Sequence, residues 1–232
     1  MLNRPNAGAI VCVVDDDSDI RDGVKLLLES VGITCIAFSS TKEFLESEQI
    51  GNANCLILDV RLPGAGGLDL QAELTRAQIR TPIVFITAHG DIPMSVRAIK
   101  AGAIEFLTKP FREQDLLDAV QAAFERDRMQ RVQDQDLRDL QARFKTLTER
   151  ERKVMTFVIA GLLNKQTAAQ MGVSEVTVKV HRHRLMSKLG AKSLPDLVRM
   201  AEMLHVVPFA MNKMTNRMAD TEASRKRESK PA

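Results

Sequence analysis

The sequence predicts an α/β fold, a doubly wound five-stranded parallel sheet, joined by a helical linker to an all-α domain. Three observations carry that reading. Over the first 124 residues, five short apolar runs alternate with segments of helical periodicity, the pattern of βα units whose strands are covered on both faces. From Glu125 to Lys145 the chain turns polar, with six basic and five acidic residues and neither Gly nor Pro. The charge then changes sign: residues 1–144 carry 16 Lys+Arg against 22 Asp+Glu, and residues 145–232 carry 17 against 8. At roughly 100–200 residues per domain, 232 residues suffice for two small domains.

The elements follow in order. Ile10–Val14 is a short, almost wholly apolar strand, and Ile20, Val24, Leu27, Leu28 and Val31 space a helix over 19–31. Thr34–Phe38 is the second strand; Ser40 with Glu43 three residues on is a capping box opening its helix. Cys55–Leu58, Ile83–Ile86 and Ile104–Leu107 complete the sheet, with helices expected over 68–77, 94–101 and 113–124. In the polar stretch, Leu137, Leu140, Phe144 and Leu147 sit at 3-4-3 spacing, the seam of either a dimerising coiled coil or a packing helix; a solvated linker is the alternative. Residues 146–204 read as four helices: one opened by the Thr148–Glu151 capping box and ended at Gly161, a short one near 165–171 stopped by Gly172, a third from Ser174 to Leu189, and a fourth from Ser193. The expected division is therefore 9–124, a linker over 125–145, a helical domain over 146–204, and a disordered polar tail over 205–232.

Composition narrows the functions. The absence of Trp and Tyr argues against a ring-lined surface for bases or sugars. No run approaches the roughly 20 apolar residues of a membrane span, and Ala9–Val14 stops at three aspartates rather than a cleavage site, so the expectation is a soluble cytoplasmic protein. Cys12, Cys35 and Cys55 are odd in number and set among apolar residues, which reads as buried thiols in a reducing compartment. The basic second half points to nucleic acid.

The residues just beyond the strand ends carry the chemistry, because ligands of open α/β sheets bind there. Strand one delivers Asp15 and Asp16, strand three Asp59, strand four Thr87, and strand five Lys109-Pro110. Three carboxylates that close repel by roughly 4 kcal/mol per pair at about 4 Å and an effective dielectric near 20. A lysine, protonation or a hard divalent cation must compensate, and Mg²⁺ (or Mn²⁺) beside a carboxylate, facing Lys109 and Thr87, suits phosphoryl transfer onto that carboxylate. Asp17 and Asp19 read as favouring a helix start, Asp69 and Glu73 as a solvated helix face, and His89 as a loop residue without chemistry.

In this order and placement, residues 9–124 resemble the CheY/flavodoxin-like receiver domain of two-component response regulators, and the stretch Ala88–Met94 resembles its FixJ-like branch. The resemblance implies that Asp59 is the phospho-acceptor, that Asp15, Asp16, Asp59 and the carbonyl of Arg61 hold Mg²⁺, and that Thr87 and Lys109 contact the phosphoryl group. It also implies a cis bond at Lys109-Pro110 and a switch in which Phe106, at the family's aromatic position, repacks with Thr87.

In the basic half, two short helices split by a Gly turn suggest a helix-turn-helix. Val176, Val178, Leu185 and Leu189 are available for packing, and Lys179, Arg182, His183 and Arg184 leave a basic side, with Lys188 a turn further. Leu147–Glu151, Asn164-Lys165-Gln166 and Thr177–His181 are similar to the LuxR-type (NarL/FixJ) DNA-binding domain. By that resemblance the helix from Ser174, Thr177 included, enters the major groove; Lys179, Val180 and His183 face bases, and Lys165, Arg182, Arg184 and Lys188 contact phosphates. The whole then reads as a DNA-binding transcriptional response regulator, not a metabolic enzyme, with a sensor histidine kinase, promoter DNA, RNA polymerase and a second copy as partners. Two rivals are a degenerate, phosphorylation-independent receiver and, more remotely, an aspartyl-nucleophile phosphatase, which lacks any insertion here to cap its substrate.

Overall fold

The computed structural model describes residues 8–88 and 90–209; His89 and most of the expected tail lie outside them. The first part holds β1 (Ile10–Val14), α1 (Ser18–Ser30), β2 (Thr34–Phe38), α2 (Thr41–Leu45), β3 (Cys55–Asp59), α3 (Gly67–Arg76), β4 (Ile83–Thr87), α4 (Ile92–Lys100), β5 (Glu105–Thr108) and the start of α5 (Glu113–Lys145). The five strands are all parallel, in the order β2-β1-β3-β4-β5. Alternate strand residues point to opposite faces, which explains two separate cores. Val11, Val13, Ile57, Val84 and Ile86 pack with Val24 and Leu28 of α1 and Leu116, Val120 and Ala123 of α5. Cys12, Val14, Leu56, Leu58 and Phe85 pack with Phe44, Leu70, Leu74 and Ala98 from α2, α3 and α4.

Local chemistry sets the helix ends. Asp17 caps α1 by accepting from the Asp19 N–H, and Asp91 caps α4 by accepting from the Met94 N–H. The expected Ser40–Glu43 box forms in altered form. Ser40 accepts from the Glu43 N–H, but the Glu43 carboxylate reaches back one residue further, to the N–H and hydroxyl of Ser39. All three cysteines are buried and free, and burial pushes the Cys12 and Cys35 thiols up to about 12 and about 11.

The linker is not a separate element. α5 runs without a break from Glu113 to Lys145, and the chain divides into two compact units within it, after Val132. In the first unit, Asp127 on α5 accepts from Asn54 Nδ2 and from Arg131 Nε, each at 2.7 Å, while Asn54 Oδ1 accepts from the Ile10 N–H. In the second, Leu140 and Leu147 are buried and Phe144 packs beside them, in one core with Val154, Met155, Val158, Leu185, Leu189 and Leu197. Three of the four seam residues, Leu140, Phe144 and Leu147, are therefore spent inside this unit, which takes in the end of α5. Four more helices follow: α6 (Glu149–Ile159), α7 (Asn164–Met171), α8 (Glu175–Leu189) and α9 (Leu194–Met203). Among the described residues, no helix is long and apolar enough to cross a membrane.

α6 opens with the full capping box: Glu151 N–H to Thr148 Oγ1 and Thr148 N–H to Glu151 Oε2. The same carboxylate accepts from Lys188 Nζ at 2.7 Å, and that ammonium also bonds the Thr146 carbonyl at 3.1 Å. Burial would push the Glu151 carboxyl up, but Lys188 and Thr148 outweigh it and hold it below its ordinary 4.5. A depressed carboxylate stabilises the fold above its unfolded value, and that contribution disappears as pH falls through the folded one. Calorimetry suits a chain with neither Trp nor Tyr, and it should show Glu151→Gln less stable than wild type at pH 7. The deficit should shrink below about pH 4.5, where the wild-type carboxylate protonates; a deficit unchanged at pH 3 would contradict the pairing.

Thr167 on α7 is wholly buried, and its hydroxyl has no hydrogen-bond partner. An unsatisfied buried group costs about 1–3 kcal/mol, whereas an apolar group of the same shape does not. Thr167→Val is thus expected to stabilise the helical unit by about 1 kcal/mol and raise its Tm by roughly 4–8 °C. A Tm at or below wild type would show that the hydroxyl is satisfied in solution.

Candidate functional site

The sheet's carboxyl edge brings Asp15, Asp16 and Asp59 together: each offers an oxygen within 4.8 Å of the others. Asp15 directly follows β1, fully buried, its backbone N–H bonded to the Phe38 carbonyl of β2, and Asp16 is exposed beside it. Asp59 ends β3 and is 7% exposed. Lys109 follows β5, and its Nζ reaches Asp15 Oδ2 at 2.6 Å and Asp59 Oδ2 at 3.0 Å. The second oxygens are also bonded: Asp15 Oδ1 accepts from the Asp17 N–H and Asp59 Oδ1 from the Arg61 N–H. The Lys109-Pro110 bond is cis, and the Lys109 N–H bonds the Thr87 carbonyl at 2.7 Å, tying this loop to the end of β4.

Burial is the largest influence on Asp15 and pushes its carboxyl up against the pull of Lys109 and the Asp17 N–H. Burial would lower the Lys109 ammonium, but its two carboxylate partners outweigh it and hold it above its ordinary value. Three carboxylates face one ammonium, so the cluster keeps an excess of negative charge on hard oxygen donors. That donor set fits Mg²⁺ or Mn²⁺.

Two glycines pack directly against this edge: Gly67, which the sequence reading did not single out, and Gly90, which it read only as part of a loop. A Cβ on Gly67, the first residue of α3, would lie 2.2 Å from the Asp59 carbonyl oxygen and 3.0 Å from Leu58 Cγ. Only a residue without a side chain lets α3 start so close behind Asp59. Asp69 is exposed, as expected of a solvated face, and also accepts from the Gly66 N–H at this helix start. A Cβ on Gly90 would lie 2.8 Å from Phe106 Cε1 and 3.2 Å from Thr87 Cγ2. Phe106 is half-buried, its ring centroid 6.3 Å from that of Phe85.

In the second unit, Ser174 caps α8 by accepting from the Thr177 N–H, and the Thr177 hydroxyl pairs with the Ser174 hydroxyl at 2.8 Å. Lys165, Lys179, Val180, His183 and Arg184 are exposed. Two expected phosphate contacts are engaged elsewhere. Lys188 holds Glu151 and the Thr146 carbonyl, and half-buried Arg182 donates to Asn164 Oδ1 of α7 at 3.2 Å. A third departure is Val176, expected to pack but 69% exposed. The sequence also did not single out Arg143 in the last turn of α5, whose Nη1 donates to the Leu189 carbonyl at the C-terminus of α8.

Comparison with known proteins agrees with both halves. Residues 11–121 match the model of the response regulator receiver domain, and residues 145–201 that of the LuxR family of bacterial regulatory proteins. Nodulation protein W of Bradyrhizobium diazoefficiens is 52% identical over 85% of this chain and 87% of its own. Response regulator protein TodT of Pseudomonas putida is 44% identical over 88% and 90%, and transcriptional regulatory protein FixJ of Rhizobium meliloti 39% identical over 82% and 94%. Among solved structures, the response regulator StyR superposes with a TM-score of 0.70 at 48% identity, covering 84% of this chain and 98% of that one. With an acidic, lysine-bridged sheet edge in one unit and a capped helix-turn-helix in the other, the chain belongs to the NarL/FixJ family of two-component response regulators: a receiver joined to a LuxR-type DNA-binding domain.

Proposed function

We propose that Asp59 is the phospho-acceptor and that its phosphorylation by a sensor histidine kinase raises the affinity of this transcriptional regulator for promoter DNA. The observation that carries the proposal is the Lys109 ammonium lying between Asp15 and Asp59 at 2.6 and 3.0 Å. An Asp59 oxygen forms the new O–P bond as the donor's P–N bond, or the P–O bond of a small acyl phosphate, breaks. Lys109 is placed to pair with the charge that the transfer brings to Asp59, and the Arg61 N–H orients the carboxylate through its other oxygen. Asp15, Asp16, Asp59 and the Arg61 carbonyl would hold a Mg²⁺ or Mn²⁺ ion, which when bound neutralises phosphoryl oxygens. The receiver thus assists its own phosphorylation and hydrolysis without being a metabolic enzyme.

The output follows from charge and packing. A phosphoryl group adds about −1.5 to −2 charge, which draws the Thr87 hydroxyl inward and repacks Phe106, whose ring rests against Gly90 where a Cβ would clash. Ile92, Val96 and Ile99 form an exposed apolar stripe on α4, 80%, 44% and 45% accessible, and β5 is an edge strand. This face pairs two copies on activation. An apolar groove of about 250 Å³ between α1 and α5, lined by Ile20, Val24, Leu27, Pro110, Phe111 and Leu116, opens beside Lys109 and seats the kinase. In the helical unit α8 enters the major groove; Lys179, Val180 and His183 face bases, and Lys165 and Arg184 contact phosphates. Arg182 and Lys188 act through the bonds that hold α8 against α7 and α6. The protein works in the cytoplasm, and at the promoter it meets RNA polymerase.

Wild type and Asp59→Ala, each incubated with a small phosphodonor and Mg²⁺, test this by intact mass and by DNA retention upstream of the gene's own operon. Only wild type should gain a phosphoryl group and bind DNA more tightly; phosphate uptake by the variant would displace Asp59 from the role. Gly67→Ala should be phosphorylated more slowly and lose about 1–3 kcal/mol of stability, the range for overpacking. In the helical unit, Lys179→Ala should weaken specific binding by roughly tenfold or more, the worth of a lost base contact. Arg184→Ala should weaken binding to all sequences and reduce the salt slope by about one. Wild-type affinity for both variants at matched salt would remove α8 from the groove.

A further inference from the structure

α8 is amphipathic in an unusual sense. Its inner line, Val178, Leu185 and Leu189, is wholly buried. At about 100° per residue, Val176 and Val180 lie roughly 160° round the helix from Val178 on either side, at the pole farthest from the core. Both face solvent, Val176 at 69% and Val180 at 44% accessibility. The exposed Lys179 and His183 adjoin them, and Lys179 pairs with Glu175 at 3.4 Å. The most outward surface of a basic helix is thus apolar in its N-terminal half.

Folding does not account for these two residues. β-Branched side chains at exposed helical positions are worse helix formers than Ala, and neither valine belongs to the buried core of its unit. Val176 is the second residue of α8, and in a helix-turn-helix the N-terminal residues of the recognition helix meet the base edges. The major-groove edge offers hydrogen-bond donors and acceptors at every base pair and a single apolar group, the 5-methyl of thymine. A valine pressed on a donor or acceptor would strip its water without replacing the bond; pressed on a methyl, it buries apolar surface on both sides.

We propose that Val176, together with Val180, reads thymine through its methyl group, so that the operator half-site carries an A·T pair opposite the first turn of α8. This rests on α8 being the recognition helix, as proposed above, and adds Val176 as a specificity-determining residue.

The probe is a duplex selected from a random pool by the full wild-type chain, treated with a small phosphodonor and Mg²⁺. Each thymine in the enriched site is then replaced singly by deoxyuridine, which lacks only the methyl. Wild type should lose about fourfold in affinity at one or two positions, the worth of one buried methyl. Val176→Ala should bind the parent duplex about fourfold more weakly and show no further loss at one of those positions, while keeping the loss at the position read by Val180. Its Tm should not fall, because Ala is the better helix former at an exposed site.

The proposal is overturned if Val176→Ala keeps the full set of deoxyuridine penalties. It is also overturned if the variant weakens binding evenly to selected and random DNA, which would make the valine a contact to a second copy rather than to a base. Failure of the underlying reading looks different: Lys179→Ala and Arg184→Ala would then bind the selected duplex as wild type does, whatever Val176 contributes.

Discussion

Everything at the receiver's working edge depends on one ammonium shared by two carboxylates. Asp15 directly follows β1 and Asp59 ends the adjacent β3, while Lys109 follows β5, on the far side of β4. The lysine reaches across β4 to Asp59 and across β4 and β3 to Asp15, and its backbone N–H is tied to the Thr87 carbonyl at the end of β4. With the ammonium in place, the acidic cluster is held short of neutrality rather than cancelled. That residual negative charge sits on hard oxygen donors of the kind a divalent cation takes.

The rest of the receiver serves that contact by bringing backbone close without side chains in the way. Gly67 lets α3 begin against the Asp59 carbonyl, and Gly90 lets its loop close onto Thr87 and Phe106. Below them, strand residues alternate between two cores, so the strand ends inherit the rigidity of packing on both faces. Asp59 therefore stands on a stiff floor, with Phe106 and Thr87 packed against Gly90 nearby.

The helical unit uses its polar residues in two ways that look alike in sequence. Lys188 and Arg182 are spent internally, one on the buried Glu151 and one on Asn164, and Arg143 closes the C-terminal end of α8 by donating to the Leu189 carbonyl. A cation at a helix C-terminus also complements the helix dipole. Lys179, His183 and Arg184 remain exposed around the two outward valines. α8 is thus fixed against its neighbours by three cations, a preorganisation of the kind that lowers the ordering cost of binding.

Most of the fold was legible in the order of residues, because strand and helix periods differ and caps are local. The five apolar runs, the caps at Thr148 and Ser174, and the carboxylates, Thr87 and Lys109 at the strand ends all follow from neighbours a few residues apart. β5 lies one residue later than its apolar run, at Glu105–Thr108, because pairing with β4 rather than hydropathy sets its register. What the linear pattern left open depended on partners far along the chain. The seam of Leu137, Leu140, Phe144 and Leu147 suited a dimer or a core equally well, until Leu185 and Leu189 supplied the core for the last three. Lys188 and Arg182 read as free cations because Glu151 lies 37 residues from one and Asn164 18 residues from the other. Val176 read as a packing residue because hydropathy does not say which side of a helix meets its neighbours. The sequence by itself determined the elements and the chemistry of the receiver edge, since both are written in local spacing. Only the tertiary structure decided which charges are spent inside the fold and which face outward, because that depends on distances that spacing does not contain.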